Sequence, residues 1–205
     1  IVDQSARMGL PGMTPNLSVS LGAGEVTPLE ITAAYSDFAN GGRRVTPYLI
    51  DYVQDRDGET IFRADNRSCR ECGRGFSGQE SPRLQQRGTQ VIDPITAYQI
   101  SSMLEGVVQR GTASGAINLP VPVAGKTGTA QANPIVRTVE NDNGESETEV
   151  LRKGNHAWFV GLAGPEGRHA RYAISVLIEY GGSGGRSSAP VAAQVIHALK
   201  AEGYL

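Results

Sequence analysis

Apolar positions along this chain switch between helical and extended spacings, and local signals mark where the elements begin and end. A first helix is predicted to begin at Thr27, because a proline and Glu30 after it complete a capping-box sequence. The pair Gly41-Gly42 ends that helix, since glycine readily adopts the backbone of a helix terminus. Two strands are then predicted at residues 44–54 and 59–64, joined by a hairpin turn.

Two further helices follow from the spacing of apolar residues. The first is predicted to begin at Asp93 and to end at Gly111. Its expected buried face consists of Ile100, Met103, Leu104, Val107 and Val108. The second is predicted to run from about Ser188 to Ala201. Its expected inner face consists of Val191, Val195, Ile196 and Leu199.

Three strands are predicted in the second half of the chain, at residues 121–131, 156–163 and 170–180. The polar stretches 65–91 and 132–155 predict surface loops, the second with an acidic, solvated hairpin tip. An antiparallel sheet with helices packed on its faces accounts for this order of elements. The sequence therefore predicts an α+β fold.

Length, composition and charge are those of a globular domain. The 205 residues could form one domain with a sizeable core, and 39% of them are hydrophobic against 20% charged. A net charge of −2 gives no electrostatic argument for a nucleic-acid partner. No apolar stretch approaches the ~20 residues that a membrane-spanning helix needs. A membrane anchor, if the protein has one, is therefore expected upstream.

The main chemical signal is the sequence Lys126-Thr127-Gly128-Thr129 in the predicted strand 121–131. The chain has three lysines against sixteen arginines, and Lys126 is a compact cation on a rigid element. Both threonine hydroxyls are expected on one face, and Gly128 leaves room for a ligand or another backbone. A cation with two hydroxyls suits a substrate carboxylate, and a backbone N–H could complete an oxyanion hole. The ordinary alternative for the bare triplet is a solvated lysine at a strand end.

A Lys-Thr-Gly triplet on a strand is also the third signature of the serine acyltransferases that bind penicillin. Further blocks are MTPN at 13–16, LGAGEVTPLE at 21–30, FANGG at 38–42, MLEGVV at 103–108, GTA at 111–113, AGKTGTA at 124–130 and AWFVG at 157–161. On these blocks, which occur in family order, the chain resembles the transpeptidase domain of penicillin-binding proteins. The first half is most similar to the bifunctional, class A enzymes, and the tail shares features with the monofunctional, class B enzymes.

Two signatures of that family are absent from this sequence. The residues three positions before the lysines are Val123, Val150 and His197, so there is no S-x-x-K, and no asparagine follows a serine by two. In the family both motifs precede Lys-Thr-Gly. Residues 1–205 are therefore expected to be the C-terminal portion of one transpeptidase domain, with a sheet incomplete at its N-terminal side. The nucleophile is expected in an upstream segment.

The resemblance implies a peptidoglycan D,D-transpeptidase that forms a serine acyl-enzyme, cross-links the cell wall and is trapped by β-lactams. It implies catalytic roles for Lys126 and Thr129, with Thr129 N–H as an oxyanion donor, and a substrate-binding surface of Thr127, Gly128 and Thr129. Partners would be the D-Ala-D-Ala stem peptide, β-lactam inhibitors and the upstream segment carrying S-x-x-K and S-x-N, with no cofactor, metal or nucleic acid. The expected location is the periplasmic face of the bacterial inner membrane.

Other functions and one cysteine pair remain open from the sequence. A D,D-carboxypeptidase or a β-lactamase-related hydrolase would share the same motif, and a non-catalytic cell-wall-binding remnant would explain the absent serine. Cys69 and Cys72 have metal-ligand spacing, but zinc normally takes four ligands. A local disulfide or two free thiols on a surface loop are the alternatives to a metal site.

Overall fold

The computed structural model describes residues 1–67, 88–140, 143, 145–166 and 170–205. Its helices are α1 (Val2–Arg7), α2 (Pro28–Ala39), α3 (Pro94–Arg110) and α4 (Ser188–Ala201), with a short 3-10 helix at Leu17–Leu21. Its strands are β1 (Tyr52–Gln54), β2 (Thr60–Arg63), β3 (Val123–Gln131), β4 (Ile135–Glu140), β5 (Ser146–Arg152), β6 (Asn155–Ala163) and β7 (Tyr172–Ile178). None of the helices in the described ranges is long and apolar enough to cross a membrane.

The centre of the fold is an antiparallel sheet in the order β3-β6-β7. Lys126 lies opposite Val160, and Gly128 lies opposite Trp158. Strand β6 is central and nearly all buried, which its run of apolar residues from Ala157 onward explains. Together with the helices, this sheet confirms the predicted α+β fold.

Helices cover both faces of the sheet, and each face has its own apolar cluster. On one face α4 packs against β6 and β7, with Ile196 and Phe159 fully buried. On the other face α2 packs against Leu162 and Ala124. Helix α3 contributes Val108 to the first cluster and Leu104 to the second. It therefore contacts both clusters beside the start of β3.

The starts of α2 and α3 are those that the sequence predicts, whereas α1 and the 3-10 helix have no counterpart in the prediction. Thr27 Oγ1 accepts a hydrogen bond from Glu30 N at 3.2 Å, while the Glu30 carboxylate accepts one from Thr27 N at 2.8 Å, which completes the capping box. Asp93 accepts from Ile95 N and Thr96 N at the start of α3. Both helices are fixed by local hydrogen bonds, and this explains why sequence signals locate them well.

The predicted loop at 132–155 is wrong, because it contains the hairpin of β4 and β5. Arg137 and Glu149 form an ion pair of 2.6 Å across the two strands, and Thr138 lies opposite Thr148. Such cross-strand pairs stabilise an extended ribbon even where both faces are solvated. The polarity of this segment therefore reflects exposure of a hairpin, whose strands include Glu140, Glu147 and Glu149 of the acidic stretch.

The predicted strand at 44–54 shortens to Tyr52–Gln54. Pro47 offers no N–H to a ladder, which accounts for the loss of its first half. Most of the predicted loop 65–91, with Cys69 and Cys72, lies outside the described residues. The part that is described ends in an isolated bridge between Gln90 and Arg43.

Of the two predicted helix faces, that of α3 is confirmed except at Met103, whereas that of α4 is rotated from its expected position. Met103 of α3 is 60% exposed, and Val191 and Val195 of α4 are also exposed. In α4 the prediction is confirmed at Ile196, and the other buried positions are Ser188, Ala189 and Ala192. Small residues let this helix approach the sheet closely, so the larger valines lie at its flank.

The free edge of β7 predicts poor behaviour of this chain in isolation. Among the described residues β7 pairs only with β6, and Leu177 beside that edge is 48% exposed. Because an unpaired, apolar edge strand is a template for association, we expect the 205-residue chain alone to aggregate during size-exclusion chromatography. Leu177→Lys should reduce this aggregation. A monomer that melts cooperatively without the substitution would contradict the expectation.

One carboxylate is buried where α2 ends. Asp37 is fully buried, its Oδ1 accepts from Val45 N at 2.7 Å, and its Oδ2 lies 3.6 Å from Arg44 Nη1. Burial raises the pKa of the Asp37 carboxyl above the usual 3.8, and the Val45 N–H and the Arg44 charge oppose that shift. The carboxylate therefore anchors the turn after α2 at a cost that depends on pH.

This burial gives a signed pH dependence of stability. Because the folded pKa is raised, the folded state binds the Asp37 proton more tightly than the unfolded state does. The contribution of this group is present in full below pH 3.8 and is lost as the pH rises through the folded pKa. In denaturation of the full-length protein, the stability of wild type relative to Asp37→Asn should therefore fall as pH rises from about 4 to about 7. A relative stability that rises with pH would contradict this.

Candidate functional site

The Lys126-Thr127-Gly128-Thr129 sequence lies in β3, which is an edge strand of the sheet formed by the described residues. Just before the strand, Gly164 N donates to Pro122 O. Backbone groups of an antiparallel strand point alternately toward and away from the partner strand. Even-numbered positions of β3 therefore bond to β6, whereas Thr127 and Thr129 turn their N–H and C=O groups to the open edge.

Lys126 and the threonines reach this edge from opposite faces of the sheet. Side chains alternate along a strand, so Lys126 is on the face of Trp158 and the two threonines are on the other. The Lys126 ammonium nevertheless donates to the outward carbonyl of Thr127. The cation therefore lies at the edge itself, beside the outward backbone of Thr129.

The two threonines are not equally accessible. Thr129 is exposed, whereas Thr127 is only 7% exposed. The Thr127 hydroxyl lies 2.8 Å from the Thr112 hydroxyl, and either oxygen could donate. The two hydroxyls share a face as the sequence predicts, but one of them is already paired with a residue that sequence reasoning missed.

Gly128 is enclosed by the chain's own atoms on both faces. On one face the Trp158 indole occupies the space that a side chain at position 128 would need. On the other face the backbone of Gly184 approaches closely, since a Cβ on Gly184 would lie 2.5 Å from Gly128 O and 2.8 Å from Gly128 N. This packing explains the need for glycine at 128, and a substrate contact there stays a prediction.

The loop between β7 and α4 covers this part of β3. It begins at Tyr180, whose positive φ of 54° is unusual for a bulky residue. Tyr180 N donates to His156 Nδ1 at 3.1 Å, and its hydroxyl donates to Asn133 O at 2.8 Å. These contacts connect the loop to the residues on either side of hairpin β4–β5, at Asn133 before it and His156 after it. The sequence predicted a turn here, but nothing in its glycines alone predicted the contact with β3.

Comparison with known proteins identifies the family of the chain that carries this edge. A profile of the penicillin binding protein transpeptidase domain matches residues 10–197. The chain belongs to the penicillin-binding protein transpeptidase family. The relationship predicted from the motif blocks is thus confirmed over nearly the whole chain.

Relatives with this transpeptidase domain include penicillin-binding proteins 1A. The chain is 40% identical to that of Neisseria gonorrhoeae over 148 residues, which are 72% of this chain and 14% of the relative. It is 38% identical to that of Rickettsia bellii over 134 residues, 63% of this chain and 17% of the relative. These relatives agree with the class A-like part of the prediction, although the chain spans only a small fraction of their length.

Solved penicillin-binding transpeptidase domains share the fold. The D,D-transpeptidase domain of a peptidoglycan glycosyltransferase from Eggerthella lenta superposes with a TM-score of 0.58 at 28% identity, over 95% of this chain and 37% of that one. Penicillin-binding protein A from M. tuberculosis, as an imipenem acyl-enzyme, gives a TM-score of 0.59 at 22% identity, over 96% and 41%. Both comparisons agree with the arrangement of sheet and helices described above.

Proposed function

We propose that the full-length protein is a peptidoglycan D,D-transpeptidase and that this chain supplies the strand that holds the substrate. The observation that carries the proposal is the open edge of β3, where the Lys126 ammonium and the outward backbone of Thr129 lie together. Membership of the penicillin-binding family and the D,D-transpeptidase name of the Eggerthella lenta structure support it.

The chemistry of this edge suits the anionic end of a stem peptide. A D-Ala-D-Ala peptide ends in a carboxylate, as a penicillin does, and both need a cation and hydroxyl donors at fixed positions. Thr129, which is exposed, and Thr127 would donate to that carboxylate, and Lys126 would add charge. A peptide lying along the edge would place its scissile carbonyl beside the Thr129 N–H, and such an oxyanion donor contributes on the order of 3 kcal/mol.

The reaction divides between this chain and an upstream segment. A serine oxygen would bond to the penultimate D-Ala carbonyl carbon, while its proton passes to the departing amine of the terminal D-Ala. An amine from a second stem would then displace the serine, which regains a proton. Lys126 would help these proton transfers, and the serine and its own lysine would come from the S-x-x-K segment. A periplasmic location at the inner membrane belongs to the same proposal.

The reaction is tested with the full-length protein, a pentapeptide stem donor and an amine acceptor. We expect D-Ala release and a cross-linked product that increases with acceptor concentration. Release of D-Ala with water as the only acceptor would support the carboxypeptidase alternative. Hydrolysis of penicillin with turnover would support the β-lactamase alternative, and the absence of any acyl transfer would contradict the proposed function.

A further inference from the structure

The hydroxyl of Thr127 has a partner that neither the motif nor the proposed mechanism uses. Thr112 lies just beyond α3, and its Oγ1 is 2.8 Å from Thr127 Oγ1. We propose that Thr112 is a positioning residue that directs the Thr127 hydroxyl proton toward the substrate carboxylate. The inference rests on the proposed function, in which Thr127 binds that carboxylate.

The proposal follows from the bonding capacity of a hydroxyl group. Each hydroxyl has one hydrogen to donate and two lone pairs that accept. Only one hydrogen can lie between the two oxygens, so one threonine donates and the other keeps its hydrogen for a third atom. A carboxylate can only accept, and its presence beside Thr127 therefore selects the arrangement in which Thr112 donates to Thr127. A chain of this kind also strengthens the outer hydrogen bond.

Thr112 is held firmly enough to act in this way. The turn that carries it is fixed to α3 because Gly111 N and Ala113 N both donate to Val107 O, at 3.1 and 3.2 Å. Ala113 is fully buried, and the Thr112 carbonyl meets the backbone of Gly185, where an added Cβ would lie 2.6 Å away. The Thr112 hydroxyl is therefore presented from a fixed backbone between α3 and the loop before α4.

Because Thr127 is buried, the direction of its hydroxyl hydrogen decides whether that hydrogen can reach a ligand. With 7% exposure, Thr127 offers little surface to a ligand, and the hydroxyl of the exposed Thr112 is the partner that the structure gives it. Without the Thr112 hydroxyl, no fixed group would donate to the Thr127 oxygen, and the Thr127 hydroxyl hydrogen could rotate away from the ligand. The expected loss is that of about one hydrogen bond, or roughly fivefold in rate of acylation.

The test compares ligands with and without a carboxylate. In the full-length protein, second-order acylation constants are measured for benzylpenicillin and for its methyl ester, and their ratio is the carboxylate preference. Thr112→Val should lower this ratio about fivefold, and Thr112→Ser should restore it. Thr96→Val, the same substitution at an exposed threonine in the first turn of α3, is the control and should leave the ratio unchanged. Because the ratio is taken within one variant, a partly unfolded preparation does not alter it.

A mutant cycle with Thr127→Val separates positioning from packing. If Thr112 acts through Thr127, the double variant should have the carboxylate preference of Thr127→Val alone. Additive effects, or an equal loss of rate with both ligands, would overturn the role of Thr112 while leaving the proposed function intact. A wild-type protein that neither ligand acylates would overturn both.

Discussion

Replacement of Lys126 by alanine in the full-length protein should slow acylation by a penicillin about 10²- to 10⁴-fold, the range for loss of a group that assists proton transfer. The Lys126 ammonium lies at the open edge of β3, against the outward carbonyl of Thr127. No other lysine lies on β3, so alanine there removes the cation that this strand brings to the edge. The second-order rate constant of labelling with a fluorescent penicillin measures the effect.

An intact fold in Lys126→Ala would show that slower acylation comes from loss of the ammonium group and not from unfolding. Lys126 is exposed, and its removal leaves the apolar clusters on both faces untouched. The melting temperature of Lys126→Ala should therefore stay close to that of wild type. Lys153→Ala, on the exposed turn between β5 and β6, is the matched control and should label normally. Unaltered labelling of Lys126→Ala would contradict its proposed role.

Gly184→Ala should reduce both stability and acylation, although no ligand contact is assigned to Gly184. The added Cβ would lie 2.2 Å from Trp158 O, 2.5 Å from Gly128 O and 2.8 Å from Gly128 N, and backbone atoms cannot rotate aside. Either the loop before α4 moves away from the sheet or β3 and β6 shift, at a cost of about 1–3 kcal/mol for overpacking. A shift of β3 by about 1 Å would slow acylation on the order of 10²-fold, because the reacting groups lose alignment.

Gly115→Ala is the matched control for this substitution. Gly115 has open space around the position of a Cβ, and its φ is not positive. The melting temperature and the labelling rate of Gly115→Ala should therefore equal those of wild type. Thermal denaturation and the labelling rate are measured on both variants. Wild-type behaviour of Gly184→Ala would mean that the loop before α4 does not constrain β3.

The elements that the sequence predicted well are those governed by neighbouring residues. The capping box at Thr27, the cap at Asp93 and the apolar run of β6 each act within a few positions. The Lys126–Thr129 sequence is also local, and its placement on a strand followed from the apolar residues before it. Such patterns express the same local energetics in the sequence and in the fold.

The errors share a different physical origin. Hairpin β4–β5 is polar because both of its faces are solvated. The alternation of apolar and polar residues that normally indicates a strand arises only where one face is buried, so it is absent here. The apolar period alone predicts Val191 and Val195 on a buried face, but small residues decide how closely α4 meets the sheet. Local apolar periods do not contain that information.

The parts of the site that sequence reasoning missed depend on tertiary contacts. The Thr112 and Thr127 hydroxyls are in contact although the residues are fifteen positions apart in the sequence. The backbones of Gly184 and Gly128 are likewise in contact although the residues are distant in the sequence. No spacing rule links these residues. Two hints were present, a threonine directly after the glycine that ends α3 and a glycine pair before α4, but their meaning required the fold.

The central claim is that this chain provides the Lys-Thr-Gly half of an acylating site whose serine lies elsewhere in the full-length protein. The direct test is intact mass after incubation with a fluorescent penicillin, for the 205-residue chain and for the full-length protein in parallel. We expect no adduct on the isolated chain and one adduct per molecule on the full-length protein. A one-to-one adduct on the isolated chain would show that a serine within it is the nucleophile and would contradict the claim.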